Sequence, residues 1–94
     1  MRLLSVTYLP YADDRAVTRF LREKIAEYEH YWVRQGRLAL VSSNIDPQSL
    51  FESLKPHVGE FDTLVVSTVI DPLCFSGEAS DELRDWIDRF SAPN

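Results

Sequence analysis

Between Arg2 and Leu9 apolar and polar positions alternate, with Leu4, Val6 and Tyr8 on one side, which predicts a strand with β-branched and aromatic fill. Pro10 ends it. Asp13 is placed to cap a helix, and Val17, Phe20, Leu21, Lys24, Ile25 and Tyr28 then recur at helical spacing, so a first helix is expected to run to about Tyr28. His30–Arg34 is short and aromatic, Arg37–Ser42 is apolar, and the intervening Gln35-Gly36 predicts a tight turn joining two strands. Asp46 followed by Pro47 marks the start of a second helix. Its inner stripe is Leu50, Phe51 and Leu54, and Pro56 closes it. Thr63–Ile70 is apolar nearly throughout, the pattern of a central strand covered on at least part of both faces. After Ser76-Gly77, Ser80 caps a last helix that carries Leu83, Trp86, Ile87 and Phe90 on one stripe.

The element order β-α-β-β-α-β predicts an α+β fold, a ferredoxin-like sandwich with an additional C-terminal helix, in a single domain spanning 1–94. Ser91–Asn94 reads as a frayed tail. In this arrangement two helices cover one face of the sheet. The other face is expected to carry residues such as Tyr8 and Trp32 and to be covered by a second copy, a terminal helix or a ligand, so a homodimer is expected. Whether the last helix packs on its own sheet or is exchanged between subunits is left open by the pattern.

Composition narrows the class. Ninety-four residues suffice for one modest core, and 45% hydrophobic with 12% aromatic residues argues against intrinsic disorder. No apolar run approaches the length of a membrane span and no secretory leader is evident, so a cytoplasmic protein is expected. The lone Cys74, between Leu73 and Phe75, reads as a small buried hydrophobe; neither an intramolecular disulfide nor a zinc or redox pair is available to it. Fifteen acidic against ten basic residues give a net charge of −5, which repels phosphate backbones at long range. The charge is uneven, however. Arg15, Arg19, Arg22, Lys24, Arg34 and Arg37 gather in the first half and acidic residues dominate the end, so any nucleic-acid contact would use the first half.

Few residues offer chemistry. His30 and His57 lack a partner that sequence can supply, so no triad can be argued. Asp13 and Asp14, beside the end of the first strand, are the one carboxylate pair placed for a hard divalent metal, although helix capping explains Asp13 equally well. Asp81, Glu82, Asp85 and Asp88 read as the solvated face of the last helix. The hairpin residues Tyr31, Trp32, Arg34 and Arg37, together with Tyr8, combine aromatics and cations as dimer interfaces and nucleic-acid-binding sheets do.

The stretches LLSVTYL (3–9), LVSSNIDPQSLFESLKPHV (40–58), FDTLVVSTV (61–69) and FSGEASDELRDWIDRF (75–90) resemble the small ferredoxin-like proteins of CRISPR spacer acquisition, and more closely their stand-alone SinR-like relatives. The resemblance implies a homodimer in which an Asp ending the first strand binds a divalent metal for phosphodiester hydrolysis. Here that position is Leu9, which cannot ligate magnesium or activate water. The first reading is therefore a non-catalytic homodimeric binding or scaffold protein without a cofactor, acting on protein, RNA or DNA and associated with a mobile-element, CRISPR-related or toxin-antitoxin locus. The second is a magnesium-dependent endonuclease of the same family that uses Asp13 or Asp14. The third is an acidic inhibitor or immunity-type protein masking a basic partner.

Overall fold

The computed structural model describes residues 2–12, 15–70 and 80–90. Four antiparallel strands, β1 (Arg2–Leu9), β2 (Glu29–Arg34), β3 (Leu38–Ser43) and β4 (Thr63–Val69), form one sheet in the order β2-β3-β1-β4. Helices α1 (Arg15–Ile25) and α2 (Pro47–Leu54) follow β1 and β3, and α3 (Ser80–Phe90) comes last. Asp13 and Asp14, Asp71–Ala79 with Cys74, and Ser91–Asn94 lie outside the described residues, so the capping and metal expectations for Asp13 and Asp14 and the burial expected of Cys74 lie there too.

The main core follows from the period-two pattern of β1. Leu4, Val6 and Tyr8 face Leu21 and Ile25 of α1 and Leu50 and Leu54 of α2, with Ala39 and Val41 of β3 between them. Complete burial of each such Leu or Ile side chain is worth about 1.5–3 kcal/mol. Register places Val6, Ala39 and Trp32 in one row across three strands, so Trp32 also points to this side. The expectation that Tyr8 and Trp32 lie on an open face therefore fails. They share a face with the larger apolar set, and that set is what the two amphipathic helices cover.

Helix α1 is shorter than its apolar period suggests. The Ala26 amide still bonds back to Arg22, but those of Glu27 and Tyr28 bond three residues back, to Lys24 and Ile25, tightening the chain into a turn that delivers β2. Tyr28 keeps its place against the core from outside the helix. Helix α2 starts where the pattern places it. Asp46, in extended conformation, accepts from the Ser49 amide at 2.8 Å and the Ser49 hydroxyl at 2.9 Å, with Pro47 at the first helical position.

Helix α3 packs on the opposite face of its own sheet. Leu83 and Trp86, flanked by Ile87 and Phe90, lie on Leu3, Leu40, Tyr31 and Val69. The Trp86 indole donates to Glu29 of β2 at 3.2 Å, and the Ser42 hydroxyl donates to the Phe90 carbonyl, so both ends of the stripe are tied to strands. Burial, and secondarily the Glu82 carboxylate, raise the pKa of the Tyr31 phenol, keeping it protonated. Only the Leu3 end of this face is covered by α3; Ser5 and Thr7 are partly buried, and Leu9 and Val65 are about half exposed.

Strand β4 departs from expectation in position. Its composition suits an interior strand, yet it lies at the sheet edge, and among the described residues it pairs with β1 alone. Among the described residues, no helix is long and apolar enough to cross a membrane.

Candidate functional site

The hairpin turn sets one wall of an open concavity. Arg34–Arg37 closes through the Arg37 amide to the Arg34 carbonyl at 3.0 Å, with Gly36 at φ +72°, a conformation that side-chain-bearing residues rarely adopt. A Cβ at Gly36 would stand 2.9 Å from the Thr18 methyl of α1. Gly36 thus serves twice, as the left-handed turn residue and as a point of close approach between hairpin and helix.

That approach builds an open groove of about 800 Å³ between α1 and the hairpin. Arg15, Arg19 and Arg22 line it from the helix at spacings of four and three, so they form one stripe about 10 Å long. Arg37, His30 and Trp32 line it from the hairpin, and Glu23 is the one carboxylate on its walls among the described residues. Among the described residues, Arg15, Arg19 and Arg22 take part in no ion pair. Guanidinium groups present fixed forks of donors that match phosphate oxygens, and the half-buried Trp32 supplies an apolar surface beside them.

Two groove residues are held in place from behind. Arg37 donates to the Gly36 carbonyl at 2.9 Å, and its guanidinium lies 5.7 Å from the centre of the Tyr8 ring. His30 Nδ1 is 2.8 Å from the Tyr28 carbonyl, and because a carbonyl only accepts, Nδ1 carries the proton. His57 serves packing instead. Its ring stacks on Phe20 at 3.8 Å between centroids.

The residues expected to form one aromatic and cationic surface are divided by the sheet. Trp32 and Arg37 meet in the groove, and Tyr8 lies behind Arg37 with 2% exposure. Tyr31 is on the other face, tilted against Trp86 at 6.0 Å. Arg34 is exposed at the turn. The stripe of Arg15, Arg19 and Arg22 is absent from that expected surface. Its signal was the four-then-three spacing of like charges within an amphipathic helix, on the flank beside the apolar stripe.

Leu9 ends β1 with 54% exposure, beside Tyr11 and Phe61, whose rings are 5.6 Å apart. The nearby carboxylate, Asp62, is engaged structurally. It accepts from the Tyr11 amide at 2.8 Å, the Gly59 amide at 2.7 Å and the Tyr8 hydroxyl at 2.9 Å. The Tyr11 bond foremost, then those from Gly59 and Tyr8, hold its pKa below the usual carboxylate range, against an opposing push from partial burial. Among the described residues, no three His, Cys, Asp or Glu side chains converge as a metal site requires.

Charge is unevenly distributed across the sheet, although Glu23 stands among the groove arginines and Arg84 and Arg89 among the α3 carboxylates. The arginine groove opens on the α1 side, whereas the exposed Asp81, Glu82, Asp85 and Asp88 belong to α3 on the opposite face. A chain of net charge −5 can in this way present a local cationic surface and orient an approaching polyanion. No protein-family model matches the chain, and no curated protein or solved structure matches it.

Proposed function

We propose that this protein is a non-catalytic binding protein of ferredoxin-like topology whose arginine groove takes the phosphate backbone of a single-stranded nucleic acid. The strand order β2-β3-β1-β4, with every neighbouring pair antiparallel and helices after β1 and β3, supports the topology. The observation that carries the function is the convergence of Arg15, Arg19, Arg22 and Arg37 on one open groove, with Glu23 the single carboxylate among the described residues that line it. A stripe about 10 Å long is too extended for one phosphate and suits a run of them. Trp32 beside the stripe offers a stacking surface for an unpaired base, which favours single strands over duplex.

Fluorescence anisotropy with labelled single-stranded RNA, single-stranded DNA and duplex, over a range of salt, tests this. Single strands are expected to bind with affinity that falls as salt rises. Arg19→Ala and Arg22→Ala should each weaken binding and lower the slope of log affinity against log salt by about 0.7. Absence of binding at low salt, or binding that both variants leave intact, would refute the reading.

A further inference from the structure

Strand β4 forms one edge of the sheet. The Tyr8 amide donates to the Arg37 carbonyl on the β3 side, so Leu4, Val6 and Tyr8 aim their backbone groups at β3. Leu3, Ser5, Thr7 and Leu9 therefore aim theirs at β4, where the register sets them against Val69, Ser67, Val65 and Thr63. The amides and carbonyls of Leu64, Val66 and Thr68 consequently project outward from β4, on the side where no strand pairs with it among the described residues.

Among the described residues, this edge lacks the features that usually protect one. Thr63–Val69 contains no charged residue and no proline, and its pairing with β1 runs without a register shift. The opposite edge strand, β2, carries Glu29, His30 and Arg34 and a register shift between Trp32 and Arg34. Val65 is 48% exposed on a strand whose composition is that of a sheet interior.

We propose that β4 pairs antiparallel with β4 of a second copy, about a two-fold axis at Val66, to make a continuous eight-stranded sheet. In this register Val66 meets the partner's Val66 while Leu64 meets the partner's Thr68, so every projecting group on the edge finds a counterpart. Val65 then lies opposite the partner's Ser67, and no charged pair is brought together within the strands. The second copy is the occupant because one two-fold register satisfies all three residues, and because pairing makes β4 the interior strand its composition describes. The axis is perpendicular to the sheet, which leaves both arginine grooves on the same side at the far ends of the assembly. The proposal is independent of what those grooves bind.

Sedimentation velocity of the full chain over a wide concentration range is the test, with Thr68→Pro as the variant. Thr68 is exposed and its amide projects outward, so proline removes a bond to the partner and none to β1. A wild-type dimer, with a Thr68→Pro monomer of unchanged far-UV circular dichroism, is the expected result. A wild-type monomer at all concentrations, or a dimer that persists in the folded variant, overturns the proposal. Should the variant fail to fold, hydrogen exchange in the wild type decides. Leu64, Val66 and Thr68 amides protected when concentrated and released on dilution support the pairing, and rapid exchange throughout overturns it.

Discussion

The hydroxyl of Tyr8 donates to Oδ2 of Asp62 across 2.9 Å, tying the end of β1 to the turn that opens β4. The Arg37 guanidinium lies over the same ring, 5.7 Å from its centre. A buried phenol thus stands between the Gly59–Asp62 turn and the wall of the arginine groove. Tyr8→Phe keeps the ring and removes the bond, leaving Asp62 one donor short. A drop of a few degrees in Tm is expected. Thermal denaturation checks it, and Arg37 should retain its contribution to binding in the salt titration.

Acid should destabilise the fold through two carboxylates. The Ser49 amide, and then the Ser49 hydroxyl, hold the Asp46 pKa below the usual range, as the Tyr11 amide and its companions do for Asp62. A lowered folded-state value means that the unfolded chain binds more protons, so this stability is fully present above the ordinary value near pH ~4. It is lost as pH falls through the lowered folded-state values. Urea melts from pH 6 down to pH 2 should show that loss, and Asp62→Asn should flatten its acid limb. An unchanged limb in the variant would remove Asp62 from the account.

Gly36→Ala tests the turn that builds the groove. The left-handed backbone costs a residue with a side chain about 1–3 kcal/mol, and the added Cβ also meets the Thr18 methyl at 2.9 Å. Chemical denaturation should show that loss. Affinity for single strands should fall as well, because moving the hairpin away from α1 separates Arg37 from the helix stripe.

Trp86→Ala tests whether α3 belongs to its own sheet. Truncating this buried indole, which also donates to Glu29, is expected to cost about 3–5 kcal/mol in urea denaturation, a large share of the stability of a small domain. A loss under 1 kcal/mol would contradict the packing described for Leu83, Trp86 and Phe90 on Leu3 and Leu40.

The binding reading also predicts indifference to metal. Labelled RNA and duplex DNA incubated with magnesium, manganese or EDTA should remain uncut, with single-strand affinity equal in each condition once ionic strength is matched. Cleavage that EDTA abolishes and Asp14→Ala removes would instead establish the metal-dependent nuclease alternative.

Local pattern alone determined the element order, the shared side of Leu4, Val6 and Tyr8 on β1, the inward face of Leu50 and Leu54 on α2, the Asp46-Pro47 start and the glycine turn at Gly36. These depend on hydrogen-bond geometry and amphipathic spacing within a few residues, which neighbours in sequence encode directly. Tertiary structure alone decided which face of the sheet each helix covers. Both faces carry apolar residues, and the choice depends on how the larger set is buried. It also placed β4 at an edge, where its composition described an interior, and brought α3 onto the face opposite α1. The groove was half legible. The clustering of arginines in the first half of the chain was visible, but their meeting was not. Arg37 joins Arg15, Arg19 and Arg22 only because the Gly36 turn lays a hairpin beside α1, and no local pattern specifies a contact between segments that distant in the chain.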